Sequence, residues 1–132
     1  MTAATNFSVF EYVYRDFGNY KIWGSLLLEG VFDKDCVTKL CICFDSGEFC
    51  NAEQLGIPSL REKLWASTCG PTEDDHAWHE FAGIRVAIGS ECEAPAWGSV
   101  ATLVRRVSAI DKWESVSSWT SLRQYSQVES RL

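Results

Sequence analysis

Two aromatic, β-branched segments separated by a run of turn formers constrain this chain more than any other feature. Residues 8–15 read Ser-Val-Phe-Glu-Tyr-Val-Tyr-Arg, and residues 20–28 read Tyr-Lys-Ile-Trp-Gly-Ser-Leu-Leu-Leu. Such residues fit a pleated, half-buried surface. Between them stand Asp16, Phe17, Gly18 and Asn19, of which Gly18 and Asn19 both tolerate positive φ. The pattern predicts an N-terminal β-hairpin. Alternation puts Phe10, Tyr12 and Tyr14 on one face of the first strand and Val9, Glu11, Val13 and Arg15 on the other.

Downstream, the punctuation changes. Asp33 is placed to cap a helix whose apolar positions Val37, Leu40, Cys41 and Phe44 recur at helical spacing, and Gly47 is placed to end it. The rival for residues 36–44 is a strand, because this segment is also good β material. Residues 48–57 read as extended or irregular, up to Pro58. Residues 59–65 read as a short helix with Leu60 and Leu64 on one face. Residues 76–88 look like a strand, clearest at Ala82, Ile84, Val86 and Ile88, with Gly83 weakening it or marking a bulge. Ser99 caps the strongest helix, striped by Val100, Leu103, Val104, Val107 and Ile110 with Trp113 beside it. Trp119, Leu122 and Tyr125 suggest a last helical turn or two.

The order predicts an α+β fold: a small, mainly antiparallel sheet with an N-terminal β-hairpin and helices packed on one face. A length of 132 residues suits a single globular domain over 1–132, with the last 15 or so residues peripheral. Six Trp, four Tyr and seven Phe supply ample apolar surface for a core.

Charge and motif content narrow the function classes. The net charge of −6 and the lack of any Lys/Arg cluster beyond Arg105-Arg106 argue against direct nucleic-acid binding. The first residues carry no basic-then-apolar leader, and no apolar run nears the length of a membrane span, so a cytoplasmic protein without membrane contact is expected. Cys36, Cys41, Cys43, Cys50, Cys69 and Cys92 are then expected to be reduced. Their tightest spacing, Cys41-Ile42-Cys43, is neither a zinc knuckle nor a redox motif. Glycine loops for phosphate and the hydrolase elbow are absent, and no cofactor is expected.

One segment concentrates chemistry. Residues 73–80 hold both histidines and four carboxylates: Glu73, Asp74, Asp75, His76, His79 and Glu80. Imidazole beside carboxylate is raw material for acid–base catalysis or metal ligation. A small hydrolase or metal-dependent enzyme could use His76, His79, Asp75 and Glu80, with Cys69 as a thiol and His76 and His79 as metal ligands. The spacing is not that of the zinc peptidases, however. The other class is a non-enzymatic, acidic protein-interaction module, such as a small inhibitor or immunity-type protein that occludes a partner surface. Its contact residues would be Tyr12, Tyr14 and Trp23 on an open sheet face, with Glu73, Asp74 and Asp75 beside them. The chain is expected to meet a protein partner, and homodimerisation through the apolar hairpin or the last helix is a further expectation. Binding is the favoured class.

Overall fold

The computed structural model describes residues 6–67 and 76–114. A five-stranded sheet carries β1 (Phe7–Arg15) at its centre, flanked by β2 (Lys21–Glu29) and β4 (Trp78–Val86). Both neighbours run antiparallel to β1. The outer strands are short: β3 (Phe49–Asn51) joins β4, and β5 (Gly98–Ser99) joins β2 in parallel. Four helices complete the α+β fold: α1 (Lys34–Cys43), α2 (Ala52–Leu55), α3 (Arg61–Ser67) and α4 (Val100–Ser108).

The hairpin forms as expected, in the register Phe7 to Glu29 through Arg15 to Lys21. The even-numbered residues of β1 face the helices. Phe10, Tyr12 and Tyr14 meet Leu26 and Leu28 of β2 and join one core with Leu40, Leu55, Leu60, Leu64, Leu103 and Val107. Those last six come from all four helices or their first flanking residues, so the helices share one face of the sheet. Burying a Leu-sized side chain contributes roughly 1.5–3 kcal/mol, so this shared face is the main source of cohesion.

Helix wins over strand at residues 36–43. The Asp33 side chain accepts the Cys36 N–H at 2.8 Å and so satisfies an otherwise unpaired first-turn donor. Gly47 does not end this helix, which stops at Cys43. Phe44 already turns extended to enter the core, and Gly47, at φ 80°, serves the following turn by donating to Phe44 O. Residues 48–57 are more regular than expected. Asn51 ends β3 and at once caps α2, its side chain accepting the N–H groups of Glu53 and Gln54. In α4 the expected cap and stripe are present, with Ser99 Oγ accepting from Thr102 N–H at 3.0 Å.

Strand β4 departs from simple alternation. Glu11 pairs with Gly83 while Tyr12 pairs with Phe81, so Ala82 is an extra residue in a bulge and Gly83 takes φ 152° beside it. The bulge flips the parity. Phe81 and Ile84 both turn to the core and Ala82 is exposed; Val86 keeps the Ile84 face, opposite Ser8, yet is exposed at the strand end, as is Ile88 beyond it. Gly24 on β2 is needed where Leu60 crosses the sheet, because a Cβ there would lie 2.5 Å from Leu60 Cδ2. Among the described residues, no helix is long and apolar enough to cross a membrane. The pair Trp119 and Leu122, with Tyr125, lies outside the described residues.

Candidate functional site

The turn of the hairpin is built by short-range hydrogen bonds. Asn19 N–H donates to Asp16 O, Asp16 N–H donates to Tyr20 O, and Tyr20 N–H returns to Asp16 Oδ1 at 2.9 Å. Asn19 takes the left-handed position at φ 67°, so the loop is a three-residue turn rather than a two-residue one. Its geometry aims Phe17 outward. Phe17, Tyr20 and Trp23 are 76%, 64% and 59% exposed, and they are the only exposed aromatic rings among the described residues. Trp23 pairs with Val13 on the sheet face away from the helices.

Both histidines are held by backbone groups. Trp78 N–H donates to His76 Nδ1 at 3.0 Å, so the proton sits on His76 Nε2, which donates to Arg15 O at 2.7 Å. The His76 N–H donates to Tyr14 Oη, and the buried Arg61 guanidinium donates to His76 O at 3.1 Å. The Phe17 and His76 rings lie 4.6 Å apart, centre to centre, and are tilted by 48°. His76 therefore splices the hairpin turn to the start of β4. His79 lies deeper. Its Nε2 accepts Leu60 N–H at 3.0 Å and its Nδ1 donates to Ala77 O at 3.4 Å. Burial holds its pKa down to about 4.

A ring nitrogen already engaged by the main chain serves as base or metal ligand only after that bond breaks. The pair has no common target either. His79 faces the core, while His76 lines a cavity of about 530 Å³ beside the hairpin turn. Among the described residues, no three His, Cys, Asp or Glu side chains converge as a metal-ligand group.

That cavity takes Phe17, one of the three exposed rings, into its wall. Among the described residues its walls include Phe17, Phe49, Trp78 and His76, with Asp16, Asp45 and Glu80 supplying three carboxylates against the guanidinium of Arg15. Arg15 is committed in part, because its Nε donates to Glu80 Oε2 at 3.2 Å and its Nη1 to Asn19 Oδ1 at 3.2 Å. A further groove of about 770 Å³ runs between α1 and α4 and contains none of the sequence candidates.

Tyr12 and Tyr14 require a correction. Both were expected on an open face, yet they are 1% and 0% exposed. They lie on the helix side of β1, and each hydroxyl has a buried role. Tyr12 Oη donates to Pro58 O at 2.7 Å, and Tyr14 Oη accepts from His76 N–H. Burial raises the Tyr12 pKa well above its ordinary value, aided by Cys50. Trp23 stands where an exposed contact residue would. Cys69, Glu73, Asp74 and Asp75 lie outside the described residues. Phe17 and Tyr20 escape a reading based on strand alternation, because Phe17 lies in the turn and Tyr20 closes it opposite Asp16. Asp45, Phe49 and Trp78 reach the cavity only through the β3–β4 pairing, which no local pattern reveals.

The thiols are dispersed. Cys36, Cys41, Cys43, Cys50 and Cys92 are free, and burial pushes Cys50 up to about 12, far from a reactive thiolate. No family model, curated protein or solved structure matches this chain.

Proposed function

We propose that this protein is a non-enzymatic, acidic interaction module of the small inhibitor or immunity type, acting in the cytoplasm by occluding a surface of a protein partner. One observation carries the reading: Phe17, Tyr20 and Trp23 are solvent-exposed on a hairpin whose turn is fixed by Asp16, Asn19 and His76. Rings held rigidly bring large contact area at small entropic cost, and Tyr and Trp dominate interface hot spots.

The acidic wall beside Phe17 suggests the partner's character. Asp16, Asp45 and Glu80 outnumber Arg15 around the cavity, and the whole chain carries −6. A basic protein surface is the complementary target, since opposed potentials speed encounter and disfavour wrong partners. The same balance disfavours a nucleic acid.

The test is capture of a partner from the native host by the wild-type chain and by a Phe17→Ser, Tyr20→Ser variant. Capture should be lost while the thermal midpoint moves by no more than about 2 °C, because both rings are largely in solvent already. Undiminished capture by the folded variant would sink the proposal.

A further inference from the structure

Sheets normally guard their edges, and here the guarding is uneven. The outermost strands are only three and two residues long, and the β3 end is closed by Asn51 Nδ2 donating to Glu114 O. Strand β2 differs. It runs for nine residues, but β5 pairs with Leu28 and Glu29 alone.

Backbone direction along β2 follows from three hydrogen bonds. Tyr20 O and Gly30 N–H point towards β1 and its extension, accepting from Asp16 N–H and donating to Asn6 O. Leu27 O points the other way and accepts Trp97 N–H. Even-numbered residues therefore bond towards β1 and odd-numbered ones towards the outside. The N–H and C=O groups of Lys21, Trp23 and Ser25 face outward, and among the described residues no strand or loop meets them. All three residues are exposed.

We propose that this edge pairs with the same edge of a second copy of the chain, antiparallel and centred on Trp23. That register is self-complementary. Trp23 lies opposite itself and Lys21 opposite Ser25, so every outward N–H and C=O of the three residues gains a partner. Ile22 falls opposite Gly24, a branched side chain against a position with none. On the face away from the helices, Glu11 pairs with Ser25 within one chain. Lys21 of the second copy then reaches across the small Ser25 to Glu11, whose carboxylate also accepts from Arg85 Nε at 3.3 Å, placing opposite charges together at both ends of the seam. The two hairpin turns point in opposite directions, which leaves Phe17 and its cavity free in each copy.

Analytical ultracentrifugation of the full chain tests this. The wild type should show a reversible dimer. Ser25→Lys sets like charges opposite Lys21 twice per dimer and should raise the dimer dissociation constant roughly tenfold. The introduced ammonium would face Glu11 of its own chain, so the monomer fold is protected. Adding Lys21→Glu restores opposite charges between copies and should bring the constant back to within about threefold of wild type. Ser25→Pro takes away the outward N–H while leaving the bonds to β1 in place, and should abolish dimerisation. A chain that stays monomeric up to about 1 mM overturns the proposal. So does a dimer indifferent to Ser25→Lys, or one that the charge reversal fails to restore.

Discussion

Within one hairpin, Phe10, Tyr12 and Tyr14 are sealed against the helices, while Phe17, Tyr20 and Trp23 stand in solvent. The two sets are alike in chemistry and adjacent in sequence. Tyr14 lies only three residues before Phe17, so distance along the strand does not separate them. What separates them is parity and turn geometry. The even positions of β1 face the helix layer, whereas Trp23 sits at an odd position of β2 and Phe17 and Tyr20 lie in or beside the turn. Aromatic content alone is thus a poor guide to a binding surface; the side of the pleat decides.

The sharpest way to break this contrast is to remove one ring from each set. Phe10→Ala should cost about 3–5 kcal/mol in a urea titration, because Phe10 packs on Tyr12, Phe44 and Phe81 and leaves a cavity when truncated. Phe17→Ala should change stability by less than about 0.5 kcal/mol. Equal effects would erase the distinction.

The histidines sharpen the comparison from the buried side. His79 has a folded pKa of about 4 against a reference of 6.5, so the unfolded chain binds the proton more readily between those values. Its contribution is fully present above pH 6.5 and is lost as pH falls towards 4, at most about 3 kcal/mol. Denaturation midpoints measured from pH 7 down to 4 should decline, and His79→Gln should flatten that decline. A slope unaltered by the substitution would remove His79 from the account.

The sequence carries a good part of this architecture in plain view. Asp33 and Ser99 announce helix starts because each cap works within three residues. The hairpin is legible from alternation and from Gly18 and Asn19. Its orientation is not, since Val9 and Val13 on the opposite face are also buried. The hydroxyls that made Tyr12 and Tyr14 look like surface anchors find Pro58 O and His76 N–H, 46 and 62 residues away, and pairings that distant leave no local trace. Likewise, the bulge at Ala82 puts Phe81 and Ile84 on the same face and leaves Ala82 exposed, so a strict period of two, which groups Ala82 with Ile84, misplaces it. The histidines misled in the same way. Imidazole beside carboxylate suggests chemistry, but the Trp78 and Leu60 amides that occupy the rings are visible only once the chain is folded.

A photo-reactive phenylalanine analogue placed at position 17, and in a separate chain at Ile88, tests the central claim most directly in the native host. Both positions are exposed, and only the first lies at the hairpin turn. The account predicts a covalent adduct with one basic protein from position 17 and none from position 88. An adduct from Ile88 with nothing at position 17 would contradict it.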